Sequence, residues 1–156
     1  MEKKKKASGF IVVRGTPGNI LDAFDMYKRI WKESWALPKL TEPQQKEYYW
    51  QLLEELSQPT HMVLFLKRGA KIFGMLHAVI VQKPLGQPAA FFVKNIYVLD
   101  SKRKRGGGKM LLDEMVFLAG RFGVKNFDFM APDELVEYWG KKRKALKVAN
   151  YMTFEV

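Results

Sequence analysis

The chain has no cysteine among its 156 residues, which excludes a disulfide framework, a thiolate metal site and a cysteine nucleophile. Histidine is almost as scarce. His61 and His77 are the only two, too few and too far apart in sequence for a recognisable metal motif, so no bound metal is expected. Long apolar runs are also missing, and no stretch approaches the roughly 20 residues of a membrane span. "MEKKKK" is basic like the start of a signal peptide, but the apolar segment after it is short and is interrupted by Arg14. These absences lead us to expect a cytoplasmic protein that makes no membrane contact. Residues 1–8 read as a solvated basic tail and residues 9–156 as one domain. Acidic residues are under-represented as well: 16 Asp and Glu stand against 27 Lys and Arg, a formal charge of +11. That balance favours polyanionic partners such as nucleic acid or phosphorylated ligands, and disfavours polycationic ones.

What is present suits a packed α/β domain. Hydrophobic residues make up 47% of the chain and aromatics 13%, too many for a disordered one. "GFIVVRGTP" reads as a strand ending in a turn. Asn19 then stands where it would cap a helix whose Ile20, Phe24, Tyr27 and Trp31 form one buried stripe. Thr41 and Gln44 carry a capping-box pattern, with Pro43 between them, before a second helix striped by Tyr49, Leu52, Leu53 and Leu56. "HMVLFLKRG" and "AKIFGMLHAVIVQ" read as a hairpin turning near Gly69. The next segment, "AAFFVKNIYVLD", is apolar enough for a central strand covered on both faces. Its polar pair, Lys94 and Asn95, marks a bulge or a ligand edge. A helix striped by Leu111, Met115, Leu118 and Phe122, a short strand "KNFDFMA", a helix over "PDELVEYWGKKRK" and a last strand complete the order β-α-α-β-β-β-α-β-α-β. Antiparallel strands followed by a βαβ crossover predict a mixed sheet with helices on both faces.

The most informative stretch is Lys102-Arg103-Lys104-Arg105-Gly106-Gly107-Gly108-Lys109, lying between the central strand and the third helix. It is not a Walker A loop, because Arg103 occupies its first Gly position and Met110 the place of its hydroxyl. Nor is it a dinucleotide fingerprint, since Leu111 replaces the third Gly. A glycine turn opening a helix still offers unpaired N–H groups and a positive dipole end to a phosphate, here ringed by cations. A pyrophosphate fits this reading.

Arg103 to Gly108 form an R-x-x-G-x-G segment, preceded by "NIYVLD" and followed by Lys109-Met110-Leu111-Leu112. This resembles the acetyl-CoA-binding motif of the GNAT N-acetyltransferase superfamily, whose element order also matches nearly the whole chain. The resemblance implies an enzyme that transfers an acetyl group from acetyl-CoA to a primary amine by direct attack on the thioester. It implies that backbone groups of Ile96, Tyr97 and Val98 pair with the pantetheine arm. Arg103, Lys104, Arg105, Gly106, Gly107, Gly108 and Lys109 would hold the pyrophosphate. It also implies Tyr138 as the acid that protonates the leaving thiolate, with Trp139 as runner-up, and Asp128 as a base.

Other readings stand beside these. The fold could serve as a basic nucleic-acid- or protein-binding module without turnover, because Tyr138-Trp139-Gly140 runs into a cationic stretch where the family usually carries Tyr-x-x-x-Gly-Phe. A third reading is an acetyltransferase acting on an amine carried by RNA. His77 reads as a hydrogen-bonded core histidine, His61 as a strand-start residue, and Asp128 equally as a structural carboxylate. Tyr48, Tyr49 and Trp50 read as packing of the second helix. The assembly is expected to be a monomer or homodimer.

Overall fold

The structure is a computed structural model, and it describes residues 9–33, 40–99 and 106–129, together with residues 137, 140 and 141. Five strands form one sheet in the order β1-β2-β3-β4-β5: β1 (Ile11–Arg14), β2 (His61–Arg68), β3 (Lys71–Val81), β4 (Ala90–Val98) and β5 (Asn126–Phe129). The first three pairings are antiparallel, and β4 pairs with β5 in parallel. Helices α1 (Ile20–Glu33) and α2 (Glu42–Ser57) cover one face, and α3 (Gly107–Arg121) covers the other. The mixed sheet with helices on both faces is therefore as expected. Glu137, Gly140 and Lys141 are helical and Lys141 pairs with Glu137, but the rest of the expected last helix and the last strand lie outside the described residues.

Local signals explain the elements. At α2 the Thr41 N–H donates to the Gln44 side chain at 2.9 Å, the expected reciprocal cap. At α1 the expectation is corrected. Asn19 is not the cap residue. A short 3-10 turn, Pro17–Asn19, precedes the helix, and the Asn19 side chain accepts from the Thr16 N–H at 2.7 Å. Proline at the first position of that turn satisfies the same geometry three residues earlier. The hairpin turns at Gly69, whose φ of +59° is left-handed and favours glycine.

Two bulges set the faces of the sheet. Lys67 pairs with Ile72 but Leu66 pairs with Gly74, so Phe73 is an extra residue in β3. His77 pairs with Asn95 but Ala78 pairs with Val93, so Lys94 is an extra residue in β4. Val93 and Ile96 consequently both pack into the α3-side core, with Leu64, Leu66, Leu76, Leu111 and Met115. Lys94 and Asn95 occupy the bulge between them. The α1/α2-side core holds Phe24, Tyr27, Ile30, Leu52, Phe65, Met75 and Tyr97.

The first bulge depends on a close approach that only glycine allows. A Cβ at Gly74 would sit 2.7 Å from the Tyr97 carbonyl oxygen and 3.2 Å from Val98 Cγ2. The carbonyl cannot readily yield, because it is backbone of β4, the strand paired with β3 there. We expect Gly74→Ala to cost about 2 kcal/mol or more by overpacking. That corresponds to a melting temperature roughly 4–8 °C lower for a chain of this length. An unchanged thermal melt would show that the β3–β4 contact is looser than described.

Candidate active site

The glycine turn is present where β4 hands over to α3. Gly106 precedes the helix with φ +83°, a conformation that L side chains rarely adopt. A Cβ on Gly107 would lie 2.5 Å from Leu66 Cδ2, so this glycine lets the helix settle on the sheet. A Cβ on Gly108 would meet nothing within 4 Å. The first i→i−4 bond of α3 is donated by the Met110 N–H to the Gly106 carbonyl at 3.0 Å. The N–H groups of Gly107, Gly108 and Lys109 come before it, at the positive end of the helix. Lys109 is exposed and ion-paired to Asp113. Arg103, Lys104 and Arg105 lie outside the described residues.

Ile96, Tyr97 and Val98 form the C-terminal end of β4, beyond the last described ladder pair with β5, Val93 with Phe129. The Tyr97 hydroxyl donates to Glu33 at the end of α1. Asp128 is on β5 opposite Phe92, with its carboxylate 2.8 Å from the Lys83 ammonium. Tyr138 and Trp139 lie outside the described residues.

A second group of side chains forms on the α1/α2 face next to the β4 bulge. The Tyr27 hydroxyl lies 2.5 Å from His77 Nδ1, and His77 Nε2 lies 3.0 Å from His61 Nδ1. Asn95 also bonds the Tyr27 hydroxyl. One oxygen of Glu55 receives the Lys94 ammonium at 2.8 Å, while the other faces both rings, 3.7 Å from His77 Nε2 and 3.9 Å from His61 Nδ1. One side chain comes from each of five elements, α1, α2, β2, β3 and β4, with Asn95 a second from β4.

Burial governs the charge states. His77 is fully buried, and desolvation pushes its pKa down to about 3, helped by the Lys94 charge and opposed by Glu55. It is neutral at pH 7, so its approach to Glu55 is not an ion pair. Burial also lowers His61, with Glu55 opposing and Lys94 reinforcing. Burial raises the Tyr27 phenol despite the Asn95 bond, and the nearby Glu55 charge adds to the rise. Burial would raise Glu55 too, but the hydrogen bond and charge of Lys94 outweigh it and hold the carboxyl below its usual value.

The donor atoms of Glu55, His61 and His77 lie within 4.8 Å of one another, a set that could hold a metal ion. The Lys94 ammonium already bound to Glu55 opposes a second cation there. The sequence reading separated the two histidines, and the hairpin brings them together on one face. His77 is the hydrogen-bonded core histidine it was read as, and His61 does start β2. The link between them, and the parts played by Glu55 and Tyr27, were missed. One signal was available: a lone glycine inside an apolar strand, Gly74, marks a bulge that changes the hairpin register.

The sequence matches the model of the acetyltransferase (GNAT) family over residues 23–134. No curated protein matched it. Among solved structures, it resembles the aminoglycoside acetyltransferase meta-AAC0020 from an uncultured soil metagenomic sample, with a TM-score of 0.78 at 14% identity over 94% of this chain and 96% of that one. A predicted acetyltransferase with acetyl-CoA from Clostridium acetobutylicum gives 0.78 at 13% identity over 94% and 96%. The 6'-N-acetyltransferase AAC(6')-Ih of Acinetobacter baumannii gives 0.74 at 14% over 94% and 97%.

The buried imidazole makes stability depend on pH. The unfolded chain takes up a proton on this histidine near pH 6.5, whereas the folded state holds His77 neutral to about pH 3. Stability from His77 is therefore fully present above about pH 6.5 and declines as pH falls towards 3. Between pH 6.5 and 5 the slope should approach about 1.4 kcal/mol per pH unit. Urea melts across that range should show it, and His77→Gln should flatten the dependence.

Proposed function

The chain belongs to the GNAT acetyltransferase family, and from that membership we propose that it transfers an acetyl group from acetyl-CoA to a primary amine. One observation carries the cofactor side: the N–H groups of Gly107, Gly108 and Lys109 precede the first i→i−4 bond of α3, and a Cβ on Gly108 would meet nothing within 4 Å. A pyrophosphate there is held by those amides and by Arg103, Lys104, Arg105 and Lys109. From that point the pantetheine arm runs back along β4, against the backbone of Val98, Tyr97 and Ile96. Its thioester then reaches the bulge at Asn95 and Lys94.

The transfer needs proximity, a free amine and a donor for the developing oxyanion, and no covalent enzyme intermediate. The acceptor nitrogen attacks the carbonyl carbon, and the C–S bond breaks with its electrons on sulfur. Tyr138 supplies the proton to the departing thiolate. Asp128 is the weaker assignment, because its carboxylate is engaged by the Lys83 ammonium at 2.8 Å.

Aminoglycosides, after which two of the similar proteins are named, are polycations. Pockets for such acceptors need unpaired carboxylates, and here Glu55 is held by Lys94 and Asp128 by Lys83. The net charge of +11 points the same way. A monoamine, or an amine carried on a polyanion such as RNA, suits this surface better. The binding-module reading keeps the same cofactor loop and differs only in turnover.

Calorimetry with acetyl-CoA tests the first step. Binding should raise the melting temperature, by an amount equivalent to about 2.7 kcal/mol at a hundredfold excess over Kd. Gly108→Val should remain folded, since its Cβ meets no protein atom, yet lose measurable CoA affinity. A Gly108→Val protein that binds CoA normally would remove the loop from the proposal.

Turnover is read from the free thiol that CoA releases, and a chain without cysteine contributes no thiol of its own. With any amine that supports turnover, Tyr138→Phe should lower kcat by about two to four powers of ten while leaving CoA affinity unchanged. An unchanged rate would remove Tyr138 from the mechanism. CoA binding without turnover for any amine would favour the binding module.

A further inference from the structure

The proposed cofactor carries more phosphate than the glycine turn can hold. CoA has a pyrophosphate in its backbone and a separate phosphate monoester on the 3'-oxygen of its ribose. Such a monoester bears roughly −1.5 to −2 charges at pH 7. The α3 amides, with Arg103, Lys104, Arg105 and Lys109, serve the pyrophosphate in that reading, which leaves the third phosphate without a partner. A further pair of cations stands at the same end of the sheet, on the tip of the β2–β3 hairpin.

Topology fixes that end. Val98, the last residue of β4, pairs with Gly74 near the start of β3, and the Leu99 N–H donates to the Phe73 carbonyl at 2.8 Å. Helix α3 then returns to the level of Ala90, opposite which β5 begins at Asn126. Its first amides therefore point toward the hairpin-tip end of the sheet. Gly107 rests on Leu66, and Arg68 lies two residues further along β2, about 7 Å beyond that contact.

Arg68 faces α3 and not α1 and α2. Its guanidinium lies 4.2 Å from the ring centroid of Phe10, a buried residue of the α3-side core. Phe73 braces Phe10 edge-on, with 5.6 Å between the ring centroids. Lys71 pairs with Arg68 across the turn, so it projects from the same face. Both are exposed. Lys67, between Leu66 and Arg68, pairs with Ile72, which packs into the opposite core. Strand alternation thus sends Arg68 and Lys71 to the helix side of the tip and Lys67 to the other.

The stacking has a chemical consequence. A guanidinium flat on an aromatic ring is held by its face, while its N–H donors lie in its edge. That edge matches two oxygens of a phosphate, and part of the ordering cost is met before the ligand arrives. We propose that Arg68 and Lys71 bind the 3'-phosphate of CoA, and so let the protein tell CoA from its dephospho form. This inference rests on the acetyl-CoA reading above.

Calorimetric titration of the full-length chain with CoA and with 3'-dephospho-CoA tests it. Both ligands keep the pyrophosphate and the pantetheine arm, so their difference isolates one phosphate. The wild type should bind CoA about tenfold or more tightly than dephospho-CoA. Arg68→Gln should remove most of that preference by weakening CoA, and Lys71→Gln should remove part of it. Dephospho-CoA affinity should change by less than about twofold in either variant, which also shows that the variant is folded. Lys67→Gln removes the same charge from the other face and should leave the preference intact. Rising salt should narrow the wild-type preference, because both cations are exposed. Equal affinity of the wild type for the two ligands overturns the proposal, as does a preference that survives in the Arg68→Gln, Lys71→Gln double variant. A Lys67→Gln loss as large as that of Arg68→Gln overturns it too, since a general field would then be acting and not a site. If neither ligand binds the wild type, the acetyl-CoA reading fails and takes this inference with it. Binding of dephospho-CoA by the wild type upholds that reading whatever becomes of the preference.

Discussion

One extra residue in β4 determines which side of the sheet carries polar chemistry. Without a bulge at Lys94, strict alternation would put Val93 and Ile96 on opposite faces, and one of them would leave the α3-side core. With it, both stay in that core, and two adjacent polar residues face α1 and α2. The bulge thereby supplies Lys94 to Glu55 and Asn95 to Tyr27. It also lies at the last ladder pair of β4 with β5, so the change of face and the end of the described β4–β5 ladder coincide.

Burying polar groups at that point is costly unless every one finds a partner. The surroundings make the requirement strict. Phe24, Trp31 and Tyr49 form edge contacts above the site, with ring centroids 5.8 to 6.3 Å apart, while Val63, Phe65 and Met75 form the sheet beneath. Among the described residues the opposite face has no such group: its buried core is Phe, Leu, Val, Met and Ala, and the buried polar residue, His77, lies on the α1/α2 face. A molecule selected for stability alone would have built both faces alike, because replacing a buried polar network with packed apolar side chains is often neutral or stabilising. The asymmetry is the physical reason to look for function on the α1/α2 face.

Much of this fold could be read from local signals, because each depends on residues close in sequence. Thr41 and Gln44 announce a cap three residues long, Gly69 announces a tight turn, and Lys94-Asn95 stand out as polar in an apolar strand. The polar cluster was hidden because it depends on register. With the turn pairing Arg68 and Lys71, an unbulged hairpin would pair His77 with Met62 and place the two histidines on opposite faces. Phe73 shifts the register by one residue, His77 pairs with Val63, and His61 joins it on the same face. A one-residue slip decides whether two imidazoles meet, and periodicity cannot resolve that.

The three consecutive glycines illustrate the same limit from the other side. As sequence they look interchangeable, and a motif reading assigns all of them to phosphate. Gly106 is required by a left-handed backbone, Gly107 by the Leu66 side chain against which the helix rests, and only Gly108 opens to space that nothing in the described protein fills. Two of the three therefore serve the chain's own geometry, and they do so for the benefit of the third. A rigid left-handed entry and a tight seat on β2 fix where the helix begins, so its unpaired amides point to one place. Anion binding by backbone depends on that fixity, since amides free to turn would lose affinity to the entropy of ordering them. On the proposed reading, the Lys and Arg residues of this segment would raise the local potential, but the direction in which a phosphate is held would come from the glycines.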